Sequence, residues 1–268
     1  MNRQQYADLI VKKLAAEEAR LKAEFATPGR IQSCIVDDLL PSGLAMELAA
    51  AFPKPEEMKE QKSIREHKYT AKQLNRFNPV IEEITFAFQD PRIIEATSRI
   101  TGLEQLDPDP YLYAGGISLM AKENFLLPHL DNSHDKDRNE YRVLNLLYYI
   151  TPDWKQEYGG NFELWDNGPE GKPREIVSAF NRLVIMATHE TSWHSVNKVK
   201  HDGSRCCVSN YYFSKKPIAA HEYFHVTTFR GRPEQPVLDL VLKGDGALRA
   251  GVRKVLKKGV KAPEVFEK

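Results

Sequence analysis

The sequence has little cysteine and no long apolar run. Its 268 residues include only Cys34, Cys206 and Cys207, and an odd number of cysteines with two adjacent members does not make a disulfide framework. Such usage is typical of a reducing compartment such as the cytoplasm. No apolar stretch approaches the length of a bilayer-spanning helix, and residues 1–25 lack the apolar segment of a secretory signal. We therefore expect a cytoplasmic protein without a membrane partner.

An excess of charge of one sign is also missing. Lys and Arg total 38 and Asp and Glu total 37, so the net charge is +1. Nucleic-acid-binding domains concentrate positive charge, so this balance argues against a nucleic-acid partner. The exception is a basic C-terminal stretch, where a solvated helix face is the commoner outcome and an anionic partner the alternative. Its cations are Arg249, Arg253, Lys254, Lys257, Lys258 and Lys261.

The order of patterns predicts an α+β fold with three parts in one globular domain. Residues 1–106 are expected to form an N-terminal helical region with a leading strand. Residues 107–229 are rich in β-branched and aromatic residues cut by glycine turns, which is typical of a β-sandwich or barrel. Residues 230–268 are expected to form a basic helical tail.

Within the first part, apolar spacing predicts several elements and one irregular segment. Residues 54–80 are polar and charged, so we expect loop with some helix there. The predicted helices are 1–27, 44–52, 80–89 and 91–102, and the leading strand is 31–40.

The stretch FLLPHLDNSHD, residues 125–135, is a candidate metal site. His129 and Asp131 are two positions apart, and on a strand such residues project from the same face. An imidazole and a carboxylate suit Fe(II), Mn(II) or Zn(II). The best third ligand is His194, which follows an apolar run and fits a neighbouring strand. Two histidines and a carboxylate are typical of non-haem Fe(II) oxygenases, although a surface turn at 129–131 is the simpler reading.

Arg205 is a candidate anion-binding residue. It opens the strand RCCVSNYYF, beyond the turn HDGS. If that strand pairs with the His194 segment, it carries the guanidinium into the barrel, where a buried arginine needs an anion. A dicarboxylate cosubstrate and a nearby Asp or Glu are both candidates.

Taken together, these motifs resemble the Fe(II)/2-oxoglutarate-dependent dioxygenases, specifically the prolyl 4-hydroxylase-like branch. The resemblance extends over residues 31–215 and implies a double-stranded β-helix, or jelly-roll, core with the N-terminal helices packed on it. The matching stretches are PHLDNS, RVLNLLYYITPDWKQEYGGNFELWD, FNRLVIMATHETSWHSV and SRCCVSNYYF.

The resemblance also implies roles for single residues. His129, Asp131 and His194 would be the iron ligands. Arg205 would bind the distal carboxylate of 2-oxoglutarate, with Tyr149 donating a hydrogen bond to the same group. Strand alternation puts Asn145 on the face of Tyr149, together with Val143 and Leu147, so Asn145 is expected to line the pocket. The family's tyrosine before the first His is absent, since Leu119 and Met120 occupy its positions.

The implied activity is hydroxylation of an aliphatic C–H bond, in a prolyl residue of a peptide or in a small metabolite. The cofactors would be Fe(II), 2-oxoglutarate and O2, with ascorbate as an assay additive, and 2-oxoglutarate would be decarboxylated to succinate. We expect residues 54–80 and 132–140 to line the substrate site, with Trp193 and His134 as candidate wall residues. Trp154 and the pair Gly159-Gly160 are expected to be structural.

HEYFH, residues 221–225, is a competing motif because it matches the His-Glu-x-x-His signature of zinc peptidases. That chemistry needs a helix and a third ligand. Pro217 and the β-prone EYFHVTTF instead predict a strand with incidental histidines. A zinc peptidase, and a non-catalytic metal-binding β-barrel, are the alternative functions.

Overall fold

A computed structural model describes residues 1–255 and 264–267. Its N-terminal region contains four helices and one leading strand, close to the predicted ranges. These are α1 (Arg3–Phe25), β1 (Ser33–Val36), α2 (Ser42–Ala51), α3 (Pro79–Ala87) and α4 (Pro91–Thr101).

Local sequence explains where these helices begin and end. Asn2 and Gln5 form a reciprocal capping box at the start of α1, which satisfies amide groups that have no intrahelical partner. Asp90 caps α4, and Gly102 ends it in a left-handed conformation with φ 73°. The apolar stripe of α1 is buried against α4, α3 and β1. The predicted amphipathic pattern is confirmed.

The remaining strands form one curled sheet with β1. They are β2 (Lys59–Lys62), β3 (Glu66–Ala71), β4 (Leu106–Pro108), β5 (Gly116–Met120), β6 (Phe125–Leu130), β7 (Tyr141–Tyr149), β8 (Phe162–Leu164), β9 (Arg174–Ile176), β10 (Arg182–Ala187), β11 (His194–Val196), β12 (Arg205–Ser214) and β13 (Thr228–Phe229). The antiparallel order is β1-β10-β7-β12-β5-β3-β6-β11-β8-β9, with β13 on β6, β2 on β3 and β4 on β12. The α+β fold with a jelly-roll core is confirmed.

Strand β10 shows why the central strands are apolar on both faces. Leu183 and Ile185 pack into the core shared with the N-terminal helices, whereas Val184 and Met186 pack into a second cluster inside the curled sheet. A strand covered on both sides has no solvent face, so its apolar residues run without interruption. The helices therefore support one side of the sheet, and the other side is free to enclose a site.

The turn before β8 is structural, as expected. Gly159 and Gly160 have φ of 70° and 67°, and a Cβ on Gly159 would lie 2.0 Å from the Lys198 carbonyl oxygen. Only glycine permits that approach. The Trp154 indole donates a 2.8 Å hydrogen bond to the Gly159 carbonyl and closes the turn.

Two predicted elements were wrong. Residues 54–80 are not mainly loop, because β2 and β3 form a hairpin that joins the main sheet through β5 and β6. The charged side chains of these segments did not predict strands, because polar residues are tolerated on strands that border a cavity open to solvent. Residues 222–227 of the HEYFH region form no regular structure, and only Thr228–Phe229 is strand.

The C-terminal region contains α5 (Pro236–Val255), whose Leu242 packs on Leu127 and Phe229. Among the helices of the described residues, none combines the length and hydropathy needed to cross a bilayer. Most of the predicted basic stretch cannot be placed: the side chains of Arg253, Lys254, Lys257, Lys258 and Lys261 lie outside the described residues. An anionic partner for that stretch stays a prediction.

Candidate metal centre

The centre is built where β6 meets β11. His129 on β6 lies directly opposite His194 on β11 in the antiparallel ladder, and their ring centroids are 4.1 Å apart. Asp131 follows at the end of β6. Its Oδ1 lies 3.7 Å from Nε2 of His129, and its Oδ2 lies 3.7 Å from Nε2 of His194. Ligand atoms from all three side chains lie within 4.8 Å of one another. The simpler reading, a surface turn at 129–131, is therefore wrong.

Backbone hydrogen bonds orient both imidazoles. His129 Nδ1 lies 3.0 Å from the Leu127 carbonyl oxygen, and His194 Nδ1 lies 2.9 Å from that of Ser192. A carbonyl oxygen can only accept, so each Nδ1 carries a proton, and Nε2 is the nitrogen that faces the centre. Burial, followed by repulsion from His194, lowers the pKa of His129 to about 3. A neutral imidazole with a free Nε2 is the form that binds a metal.

Arg142 holds the carboxylate of Asp131. Its Nη1 lies 3.3 Å from Asp131 Oδ2, its Nη2 donates 2.7 Å to Asn132 Oδ1, and it stacks on the Tyr211 ring. Burial by itself would raise the pKa of Asp131, but Arg142 and the two histidines hold it well below its usual range. Asp131 is therefore an anion, and its buried Oδ2 has no hydrogen-bond partner.

Strict strand alternation missed Arg142. It predicted Val143 on the pocket face of β7, but Val143 is part of the core that faces the helices. The β7–β12 register shifts beside Tyr212 and Phe213, where Arg142 rather than Val143 becomes the paired residue. This bulge re-aims one side chain, which puts Arg142 into the cavity.

The donor set fits a divalent transition metal. Two imidazoles and one carboxylate point to a common position. Asp131 Oδ2 pairs with Arg142 but accepts no hydrogen bond from the described residues, so it can still accept a metal ion. Such a mixed nitrogen and oxygen set suits Fe(II) and leaves other coordination positions open. Ligation by these residues stays a prediction.

A cavity of about 450 Å³ extends from this centre into the sheet, and Arg205 lies on its inner wall. Arg205 is 4% exposed. Its Nη2 donates to Met120 Sδ at 2.7 Å, and its Nε is buried without a hydrogen-bond partner. In the described part of the chain no carboxylate lies within ion-pair distance, so the guanidinium is available for an anion entering the cavity.

The route by which Arg205 reaches the cavity differs from the expected one. We predicted that its strand pairs with the His194 segment. Instead β12 lies between β5 and β7, and β11 pairs with β6 and β8. Arg205 therefore approaches from the wall opposite β11, because a curled sheet lets strands face each other without being hydrogen-bonded.

The other predicted cosubstrate residues also line the cavity. Tyr149 is fully buried, and the guanidinium carbon of Arg205 is 5.2 Å from its ring centroid. Burial raises the pKa of Tyr149, so its hydroxyl stays a donor. Asn145 donates 3.2 Å to the Tyr211 hydroxyl, and its own Oδ1 is buried without a partner. Tyr211 was missed, although alternation from Arg205 along β12 points to it.

Of the two segments expected to line the substrate site, only one lines the cavity. Residues of β3 and its flanks line the open end of the cavity, as proposed for 54–80. No residue of 132–140 lines it, and neither does Trp193. His134 instead contacts Tyr141, with ring centroids 4.3 Å apart. The loop folds back on its own strand through the His134–Tyr141 bridge.

The HEYFH segment does not form a second metal centre. His221 is exposed and lies 3.2 Å from Glu190, whereas His225 stacks on Tyr223. Helical spacing would be needed to put both imidazoles on one face, and the segment is not helical. Across residues 1–255 and 264–267, the only side-chain group suited to a metal is that of His129, Asp131 and His194. The zinc peptidase alternative finds no support.

Sequence comparison supports the resemblance to oxygenases that the site residues indicate. The model of the 2OG-Fe(II) oxygenase superfamily matches residues 115–213, which span every strand that faces the cavity from β5 to β12. This segment is similar to the 2OG-Fe(II) oxygenase superfamily. The predicted resemblance is confirmed. Mouse "Prolyl 3-hydroxylase OGFOD1" is 28% identical over 96 residues, which are 34% of this chain and only 17% of that protein.

Solved structures share the fold. A Pseudomonas putida prolyl-4-hydroxylase matches with a TM-score of 0.56 and 18% identity, over 74% of this chain and 100% of the other. A Trichoplax adhaerens prolyl hydroxylase, in complex with a hypoxia inducible factor peptide fragment, matches with a TM-score of 0.56 and 17% identity, over 76% and 92%. The chain thus shares the jelly-roll fold of these two structures.

Proposed function

We propose that this oxygenase hydroxylates an aliphatic C–H bond of a peptide or a small metabolite, using Fe(II), 2-oxoglutarate and O2. The observation that carries the proposal lies in one cavity. It is the pairing of the His129, Asp131 and His194 cluster with a buried Arg205 that has no carboxylate partner among the described residues. A metal site and a separate anion anchor are both needed for a chelating dicarboxylate cosubstrate.

In this proposal the three clustered side chains hold Fe(II) through two Nε2 atoms and a carboxylate oxygen. Bound Fe(II), with 2-oxoglutarate and O2, supplies the oxidising chemistry, in which 2-oxoglutarate becomes succinate and CO2. Arg142 neutralises Asp131 and fixes its orientation. Arg205 pairs with the distal carboxylate of 2-oxoglutarate, and the Tyr149 hydroxyl donates to the same group. Apolar residues around the anchor, including Phe162, exclude water from it.

A non-catalytic metal-binding barrel is the weaker alternative. A structural metal site gains nothing from a distant buried guanidinium, whose desolvation is costly without an anion. Retention of Arg205, with Nε unpartnered, therefore favours catalysis.

The substrate is proposed by analogy. Sequence similarity to a prolyl 3-hydroxylase makes a prolyl residue the first candidate, ahead of free metabolites. We also propose a cytoplasmic location, since the three cysteines are unpaired. Burial raises the pKa of Cys206 to about 11, which keeps this thiol protonated and inert.

The test is substrate-stimulated succinate formation. Purified protein with Fe(II), 2-oxoglutarate, O2 and ascorbate is incubated with pools of proline-containing peptides and of metabolites. The expected result is succinate above the unstimulated rate and a product gaining one oxygen, both lost in His194→Ala. A wild-type protein that binds Fe(II) yet yields no succinate with any pool contradicts the proposal, and oxidation confined to metabolites contradicts the prolyl assignment.

A further inference from the structure

The open end of the cavity carries more positive charge than the proposed chemistry uses. Of the described residues, two carboxylates line the cavity, Glu66 and Asp131, and they are paired with Lys68 at 2.8 Å and Arg142 at 3.3 Å. Arg205 has its own role at the inner wall. The cations that line the cavity are Arg65, Lys68, Lys72, Arg142, Arg205 and Arg249.

Two of the surplus cations converge on one aromatic ring. Arg65 precedes β3, and Arg249 comes from α5. Their guanidinium carbons lie 5.8 and 6.0 Å from the centroid of Phe229. Phe229 stacks on His129, with centroids 5.2 Å apart and an interplanar angle of 18°. The Phe229 ring therefore contacts both guanidinium groups and His129, a proposed iron ligand.

These two arginines share a single carboxylate. Asp245 on α5 accepts 2.9 Å from Arg65 Nη2 and lies 3.0 Å from Arg249 Nε. One anion between two cations leaves a net positive charge. Among the described residues, Arg65 Nε and Arg249 Nη2 are also buried without a hydrogen-bond partner, and unsatisfied buried donors are costly unless a ligand completes them.

We propose that Arg65 and Arg249 form an anion-binding subsite at the open end of the cavity, which takes a carboxylate or phosphate group of the substrate. The inference rests on the proposed function and names the substrate class: a molecule with an anionic group close to the carbon that is hydroxylated. Guanidinium groups suit both anions because they donate paired hydrogen bonds. The surplus charge also attracts such a substrate from solution.

Inorganic phosphate is the probe. It is titrated by calorimetry into protein loaded with Mn(II) and N-oxalylglycine, an unreactive isostere of 2-oxoglutarate that fills the cosubstrate position. Paramagnetic relaxation of the phosphorus nucleus by Mn(II) then reports whether phosphate binds beside the metal. The variants are Arg65→Gln and Arg249→Gln, with Arg99→Gln as the matched control, because Arg99 lies on α4 in exposed ion pairs with Glu18 and Glu95.

We expect saturable phosphate binding near Mn(II), weakened roughly tenfold in either cavity variant and unchanged in the control, since a charge-assisted hydrogen bond is lost. Asp245→Asn separates binding from structural support: removing the competing carboxylate should tighten phosphate binding, although it removes an ion pair. Equal affinity in all proteins, or no tightening in Asp245→Asn, overturns the subsite.

Two further outcomes also overturn it. If N-oxalylglycine displaces phosphate and binds more weakly to Arg65→Gln, the anion recognised there is the cosubstrate. If bound phosphate is not relaxed by Mn(II), it binds elsewhere. Failure of Mn(II) and N-oxalylglycine to bind contradicts the proposed function instead, and the phosphate titrations of the variants still decide the subsite.

Discussion

His194 lies directly opposite His129 across the β6–β11 ladder, and each imidazole is tied through Nδ1 to the carbonyl two residues before it. The same type of local hydrogen bond thus orients both imidazole rings, one on each strand. Because strand pairing sets their separation and the backbone sets their orientation, both Nε2 atoms face Asp131. Ligands whose orientation is fixed by neighbouring groups in this way need little reorganisation to bind a metal.

Replacing Asp131 with alanine should abolish stoichiometric Fe(II) binding, because it removes the only carboxylate of the cluster. Metal content after anaerobic loading and desalting measures this directly. Asp202→Ala is a suitable control, since Asp202 is exposed and pairs with Lys122. Full retention of Fe(II) by Asp131→Ala would show that the three side chains do not form the site.

Arg205→Lys should raise the apparent KM for 2-oxoglutarate about tenfold while Fe(II) binding is retained. Lysine keeps the charge but loses the forked donor geometry that matches a carboxylate. Initial rates of succinate formation at varied 2-oxoglutarate measure the change, and Arg182→Lys, in a surface pair with Asp37, is the control. An unchanged KM in Arg205→Ala would refute the assignment of this anchor.

Arg142→Met should weaken Fe(II) affinity by about tenfold or more, because partners of metal ligands orient them. Removal of the guanidinium also removes the main group that lowers the pKa of Asp131. Competition with a chelator at pH 7 gives the affinity, and Arg142→Lys should restore part of it. Equal affinity in wild type and Arg142→Met would assign Arg142 to packing against Tyr211 alone.

His221→Ala and His225→Ala should leave metal content and oxygenase activity nearly unchanged, since the HEYFH segment is irregular and its imidazoles do not form a metal cluster. Elemental analysis and succinate formation measure both properties. Stoichiometric zinc lost from either variant, or peptidase activity of the wild type, would reverse the ranking of the two motifs.

Arg232→Met should lower the free energy of unfolding by about 3 kcal/mol, because it leaves a buried carboxylate without its partner. Arg232 pairs with Glu163 at 2.5 Å, where Glu163 also accepts from Ser195. Urea denaturation with constant m-value gives the difference. Arg99→Met, at an exposed pair, should change it little, and equal stability of both variants would contradict the buried network.

The sequence by itself predicted the jelly-roll core and the residues that meet at the candidate centre. The His129–Asp131 spacing is a local property, because residues two apart share a strand face wherever that strand lies. Likewise, the α1 stripe and the glycine pair at 159–160 depend on short-range sterics and helical periodicity. Each of these signals is contained in a few neighbouring residues.

Only the tertiary structure decided what surrounds the centre. The bulge that turns Arg142 toward Asp131 depends on how β7 registers with β12, and the charged β3 strand joins the sheet because its neighbours supply the ladder. Arg65 and Arg249 meet at Phe229 although they are far apart in the chain. Register and packing between distant segments are set by the whole core, so no local pattern contains them.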